Sequence, residues 1–223
     1  MSKLYIVATP IGNLEDITMR AVRVLKEVDL ILAEDKRVSR KLLDHYAIKK
    51  NMLSWHQHSK IKDWHKIKEF LNEGKDIALV TDAGTPGVSD PGGKLIELIL
   101  SEVPDTEIIP LPGPSSLTAI VSIAGVPMDK FLFLGYLPHK KGRQTLFETI
   151  KSSDIPVVFF ESVHRILKAL DQLSDCDKKL IIGRELTKKF ETVYRGQAKD
   201  ILEILSKDKE QQKGEFVVVV NNQ

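Results

Sequence analysis

The sequence predicts an α/β protein of two domains: residues 1–112 around a mostly parallel sheet, and residues 113–223 around a mixed one. Three observations predict it. Short apolar runs rich in β-branched residues alternate with segments whose apolar residues recur at helical spacing, the pattern of βα units. The loop at 82–91, after one of these runs, is longer and stiffer than a simple connection needs. The segment Leu-Pro-Gly-Pro-Ser-Ser at 111–116 then breaks regular structure at mid-chain. A chain of 223 residues has room for one large domain or two small ones.

Composition narrows the class. At 42% hydrophobic and 29% charged, the chain can bury a proper core. A net charge of +2 does not announce a nucleic-acid binder, so any basic face must come from local clustering. One cysteine, Cys176, excludes an internal disulfide and a Cys-rich zinc site. The first apolar run is too short for a signal peptide, and no stretch approaches the roughly 18 residues of a spanning helix. The expectation is a soluble cytoplasmic protein with no membrane partner.

The elements follow in order. Residues 4–8 read as a strand, and Asp16 as the N-cap of a helix facing inward with Ala21, Val22, Leu25 and Val28. A strand at 30–33 runs into Glu34-Asp35-Lys36-Arg37, then a helix with Val38, Leu42 and Tyr46 on one side. A short strand at 52–55 precedes His56-Gln57-His58 and a lysine-rich helix with Trp64, Ile67 and Leu71 inward. Strands follow at 77–80 and 107–110 with a helix between them whose face is Leu95, Ile96, Ile99 and Leu100, and Ser115 or Ser116 caps an apolar helix ending near Ala124. The second half gives strands at 131–134, 157–160, 180–182 and 216–220. A basic loop at 139–143 leads into a helix before the strand at 157–160, and the next helix carries Val163, Ile166, Leu167, Leu170 and Leu173 on one face.

The most informative stretch is the loop at 82–91, with two prolines, two glycines, two aspartates, a serine and a threonine. Glycines allow close approach of backbone to a ligand, and prolines restrict the loop before binding. The unusual residues at 9–16, 34–37 and 82–91 all fall just after strands. A parallel sheet gathers such ends on one edge, where open α/β sheets bind ligands. Phosphate-loop, dinucleotide and serine-elbow motifs are absent. His56, His58 and His65 lack partners at ligand spacing, so no metal site is expected.

Seven motifs in register carry a resemblance. They are Thr-Pro-Ile-Gly-Asn-Leu-Glu-Asp at 9–16, Ala-Glu-Asp-Lys-Arg at 33–37, Thr-Asp-Ala-Gly-Thr-Pro-Gly-Val-Ser-Asp-Pro-Gly at 81–92 and Pro-Gly-Pro-Ser-Ser at 112–116. With Phe-Phe-Glu-Ser at 159–162, Gly-Arg-Glu-Leu at 183–186 and Gly-Glu-Phe at 214–216, they closely resemble the ribosomal RNA small subunit methyltransferase I family. That family has the tetrapyrrole methylase fold. The resemblance implies two α/β domains with S-adenosylmethionine in the cleft between them, commonly in a homodimer. It implies methylation of the ribose 2′-hydroxyl of a decoding-centre cytidine of 16S rRNA in the small ribosomal subunit. Carried over by position, the cofactor contacts are Pro10, Asp82, Gly84, Thr85, Pro86, Val88, Ser115, Ser116, Phe160, Glu161, Glu185 and Leu186. The sequence has Lys36 where the family usually has threonine, and it resembles a short form without the small C-terminal helical domain of longer members.

Methyl transfer gains mainly from positioning, with a nearby group taking the hydroxyl proton. The candidates for that role are Glu34, Asp35, Glu161, Glu185 and Lys188, among which the residues alone do not choose. A lysine serves only if its pKa is lowered. For each carboxylate the structural reading is a helix cap or an ion pair with Arg37, Arg165 or Arg184. RNA contacts fall to Arg37, His58, Lys140, Lys141, Arg143 and Lys188, with a further cluster at Lys60, Lys62, Lys66 and Lys68. Trp55 and His58 are placed to stack on or bond a nucleotide. The alternatives are a methyltransferase of the same fold acting on a tetrapyrrole, another small molecule or a protein side chain, and a non-catalytic protein that binds cofactor and RNA.

Overall fold

Five strands, β1 (Lys3–Val7), β2 (Leu30–Ala33), β3 (Met52–Ser54), β4 (Ile77–Val80) and β5 (Glu107–Leu111), form a sheet in the order β3-β2-β4-β1-β5, all parallel. The structure is a computed structural model that describes residues 1–56, 59, 61–90 and 92–222. It divides into two compact units, Met1–Ser115 and Ser116–Gln223.

In the first unit, β2 and β4 are buried throughout, as expected of strands covered by helices on both faces. On one face, α1 (Met19–Glu27) and α2 (Lys36–His45) pack Ala21, Leu25, Leu42 and Leu43 against Val7, Ile31, Ala33 and Val80. On the other, α3 (Ile61–Asn72) and α4 (Gly92–Glu102) pack Trp64, Ile67, Leu95 and Ile99 against Leu4, Leu30, Leu32 and Leu79. After β1 the chain crosses to β2 by way of α1; after β4 it crosses to β5 by way of α4. The two connections leave in opposite directions along the sheet, so the β1/β4 pair is its topological switch point.

Two local expectations are corrected. Thr18, not Asp16, caps α1: its side chain accepts the Ala21 N–H at 3.1 Å, while Asp16 closes a short 3-10 turn, Leu14–Asp16, that Asn13 caps. Helix α2 buries Ser39, Leu42 and Leu43 rather than a Val38 face, and Val38 is exposed. Asp35 caps that helix, so its first turn starts at Lys36 and Val38 rotates to solvent.

The second unit contains α5 (Ser116–Ser122), β6 (Leu132–Tyr136), α6 (Arg143–Ser152), β7 (Val157–Ser162), α7 (Ile166–Leu173), β8 (Lys179–Arg184), β9 (Thr192–Gln197), α8 (Ala198–Lys207) and β10 (Glu215–Val220). Its sheet runs β6-β7-β10-β8-β9, with β6 and β7 parallel and the remaining pairs antiparallel. The core joins Phe159, Ile182, Phe216 and Val218 to Phe147 of α6, Leu170 of α7 and Ile201 of α8. Strand β9 and helix α8 are additions to the elements expected from sequence. Among the described residues, no helix is long and apolar enough to cross a membrane.

Candidate active site

At the carboxyl edge of the first sheet, three loops are tied together at the switch point. The Thr9 N–H donates to the Gly84 carbonyl at 2.9 Å, and the Gly84 N–H returns to the Thr9 carbonyl at 3.0 Å. The Thr9 hydroxyl donates to the Thr81 carbonyl, fastening the end of β1 to the end of β4. The Thr85 hydroxyl donates to the Pro114 carbonyl at 3.1 Å, which brings in the loop after β5. That loop passes so close to β1 that a Cβ on Gly113 would lie 2.9 Å from the Ala8 Cβ. Further along, the Asp90 carboxylate accepts the N–H groups of Gly87 and Gly92 at 2.8 and 2.7 Å, pinning the loop as a closed turn. The convergence expected from sequence is therefore present. Pro10, Gly84 and Pro86 are buried in it, and Thr85 and Val88 are half-buried.

Beside Asp90, the carboxylates of Glu34, Asp35 and Asp82 sit on this edge. The Thr81 hydroxyl donates to Glu34 Oε2 at 2.9 Å, and the Asp35 N–H donates to Asp82 Oδ1 at 3.0 Å. Asp35 itself caps α2 and grips the Arg37 guanidinium at 2.6 Å. The hydrogen bonds from Arg37 hold its carboxyl down at about 2. Burial pushes Asp82 above its ordinary value, and the neighbouring charges of Glu34 and Asp35 add to that against the Asp35 N–H. Glu34 lines a small pocket, partly open to solvent, with Trp55, Leu79, Val80, Thr81, Pro86, Asp90 and Gly92. Trp55 is 4% exposed, and its indole N–H has no hydrogen-bond partner among the described residues. Trp55 therefore belongs to the pocket wall and the core, and does not present a stacking face to solvent. His58 and Lys60 lie outside the described residues.

In the second unit, the carboxyl ends of β7 and β8 meet the amino end of β10. Glu161 and Arg184 pair with Phe216 from either side, and Ser162 pairs with Glu215. Glu161 is closed off here. Its side chain has no exposed surface, and Arg143 and Arg165 hold it at 3.0 and 2.9 Å. The Ser162 N–H takes up its Oε1 as well. Its oxygens are taken by two guanidiniums and the Ser162 N–H, so Glu161 is corrected from candidate base to structural anchor. Arg143 is corrected with it: 4% exposed, it also donates to Gln172 and to the Pro138 carbonyl, out of reach of RNA phosphates. Lys140 and Lys141, on the loop just before it, are exposed.

Glu185 and Thr187 both adopt the left-handed region, with φ of 51° and 66°. A threonine there is strained, which marks the turn after β8 as one its surroundings hold in place. Lys188 Nζ does the holding, bridging Glu185 Oε1 and Glu215 Oε2 at 2.9 Å each. Burial pulls Lys188 down, but the two carboxylates outweigh it and leave the ammonium above its ordinary value. That is the reverse of what a lysine base needs. For Glu185, burial pushes upward, yet Lys188 and the Glu215 N–H bring its carboxyl below its usual range. Leu186 is buried and lies over Gly183, where a Cβ would come within 2.8 Å of it. Phe160 is buried between Phe133 and Tyr136, at ring separations of 5.1 and 5.3 Å. Sequence reasoning missed Thr81, Asp90 and Glu215 as partners. Thr81 and Glu215 become visible only once strands far apart in sequence are paired, whereas Asp90 closes its turn locally.

Residues 3–202 match the family described as Tetrapyrrole (Corrin/Porphyrin) Methylases. The chain is similar to the ribosomal RNA small subunit methyltransferase I of Thermotoga maritima, at 44% identity over 99% of both chains. It is 39% identical to the Escherichia coli O157:H7 protein of the same name, over 98% of this chain and 77% of that one. Among solved structures it resembles a diphthine synthase, with a TM-score of 0.75 at 14% identity over 99% of this chain and 90% of that one. It also resembles a cobalt precorrin-4 methyltransferase of cobalamin biosynthesis, with a TM-score of 0.70 at 20% identity over 97% and 94%. At those identities the structures speak to the fold alone, but the family match and the curated relatives agree over nearly the whole length: this chain belongs to the ribosomal RNA small subunit methyltransferase I family of tetrapyrrole methylases.

Proposed function

We propose that this protein transfers a methyl group from S-adenosylmethionine to the ribose 2′-oxygen of a decoding-centre cytidine in 16S rRNA, acting on the small ribosomal subunit in the cytoplasm as a homodimer. The observation that carries the reading is the acidic edge at the switch point, where Glu34, Asp35 and Asp82 gather and Arg37 is paired to Asp35. This surplus of negative charge suits a cationic sulfur, and carboxylates also accept hydrogen bonds from ribose hydroxyls. When bound, the cofactor supplies a methyl group already activated for displacement.

The roles of the chain's own residues follow from their surroundings. Asp35 is committed to the α2 cap and to Arg37, Glu161 to its two arginines, and Glu185 to Lys188 and the Glu215 N–H. Glu34 remains, oriented by Thr81 and facing the pocket. Glu34 takes the 2′-hydroxyl proton as the oxygen–methyl bond forms. Pro10, Asp82, Gly84, Thr85, Pro86, Val88 and Ser115 in the first unit, and Ser116, Phe160, Glu185 and Leu186 in the second, are the proposed cofactor contacts. Lys188 is a fixed cation, and with Arg37, Lys140 and Lys141 it offers phosphate contacts.

The test is incubation with methyl-labelled S-adenosylmethionine and small subunits lacking this modification, followed by mapping of the label. Label on one decoding-centre 2′-oxygen is the expected result. Measurable cofactor binding without transfer to RNA would overturn the assignment.

A further inference from the structure

The two helical layers of the first sheet differ in charge. Helices α3 and α4, on one face, carry four Lys and Arg against four acidic residues. Helices α1 and α2, on the other, carry seven against two. A face that serves only to stay solvated needs no such bias, and the mixed α3/α4 layer is what that looks like. The imbalance is strongest on α2, whose sequence Lys36-Arg37-Val38-Ser39-Arg40-Lys41 has no acid before Asp44.

The stripe has a direction. Lys36 and Arg40 lie one turn apart, as do Arg37 and Lys41, so the four occupy an arc of about 140° at 100° per residue. They lie outside the buried arc of Ser39, Leu42 and Leu43, with Lys36 at its border. Arg37 is turned back onto Asp35. Lys36, Arg40 and Lys41 are exposed and make no ion pair or hydrogen bond among the described residues through their side chains. Helix α2 begins at the residue after Asp35, on the same edge as Glu34 and Asp82, and runs about 15 Å from it at 1.5 Å per residue.

We infer that the exposed face of α2, through Lys36, Arg40 and Lys41, is a phosphate-binding track for RNA that leads to the acidic edge. The inference rests on the proposed function for the identity of the polyanion. Charge complementarity favours RNA: unpaired cations at one-turn spacing gain by displacing counterions from phosphates. The acidic edge beyond the stripe repels phosphate, so the backbone is held on α2 and only the nucleoside is admitted.

The test compares the full chain with the triple variant Lys36→Gln, Arg40→Gln, Lys41→Gln. A control, Lys168→Gln, Lys199→Gln, Lys209→Gln, removes as much charge from exposed positions of the second unit. The probe is an unmethylated decoding-region RNA hairpin, with affinity measured across a salt series. The track predicts that the slope of log affinity against log salt falls by about 2–3 in the triple variant. It also predicts affinity weaker by about tenfold or more, unchanged cofactor affinity, and a control that behaves as wild type. A wild-type slope in the triple variant, or an equal loss in the control, overturns the track. If wild type methylates while the triple variant binds RNA normally, the track falls and the proposed function stands. If stripe-dependent binding is seen without methyl transfer, the reverse holds. Absence of hairpin binding by the wild-type protein overturns the track, while the proposed function is decided by the labelling of small subunits.

Discussion

Glu34 and Asp35 are neighbours in the chain with the same chemistry, and the structure assigns them different work. Asp35 accepts the Arg37 N–H and guanidinium, so it stays ionised down to about pH 2 and has no spare capacity as a base. Glu34 has one oxygen on Thr81 and a pocket beside it. Glu34→Gln is nearly isosteric and is expected to lower the single-turnover methyl-transfer rate by about 10²–10⁴-fold while cofactor affinity changes little. A rate within a few-fold of wild type would move the base elsewhere. Lys188 gives a prediction of the opposite kind. Its folded pKa lies above its ordinary value of 10.5, so the stability it contributes is fully present below that pH and is lost as pH rises through the folded value. Alkaline titration of wild type should therefore show a loss of stability above about pH 10.5 that is absent from Lys188→Met, which starts less stable at neutral pH. Between pH 6 and 10 the activity profile should carry no limb belonging to Lys188, because the ammonium does not deprotonate there.

At the scale of elements, the turn after β8 depends on a residue thirty positions away. Gly214 has φ of 105°, and a Cβ there would come within 2.5 Å of the Glu185 Cγ and 2.7 Å of its Oε1. Glu185 cannot step aside cheaply, since Lys188 and the Glu215 N–H both hold that oxygen. Gly214→Ala should therefore cost about 1–3 kcal/mol in urea unfolding and disturb the Lys188 bridge, seen as a change in the alkaline transition. Wild-type stability in that variant would show that the turn can give. This dependence was only partly legible. Gly-Glu-Phe at 214–216 stands out as a motif, but that Glu215 pairs with Lys188 needs the β8–β10 register. By contrast, the acidic edge of the first unit was legible because each of its residues directly follows a strand, and parallel strands deliver such positions to one place. Arg143 was misread for the complementary reason. Its run of basic neighbours is a surface signal, while its own side chain answers to a buried carboxylate eighteen residues on.

The whole molecule repeats this contrast. The first unit's sheet follows from βα alternation, which is a local pattern. The second unit's sheet inserts β10, the last strand, between β7 and β8, an arrangement that no local pattern encodes. Sequence placed the break at 112, within the Pro-Gly-Pro segment, and the structure divides after Ser115. Each unit has its own buried clusters, those of the first formed within Val7–Leu111 and Leu4–Val103 and that of the second within Leu137–Val220. Phe159 tests whether they also stand apart energetically. It is fully buried, edge-on to Phe147 with ring centroids 6.4 Å apart. Truncation to alanine should cost about 3–5 kcal/mol through lost transfer energy and a residual cavity. Hydrogen exchange on Phe159→Ala should then show amides of β7, β8 and β10 losing protection while those of β1, β2 and β4 keep wild-type values. Equal loss in both sheets would mean that the chain unfolds as one cooperative body. The cost of a change at Glu185 would then be felt at Glu34, and the effects of variants in the two units would have to be separated by double-mutant cycles before either was assigned to catalysis.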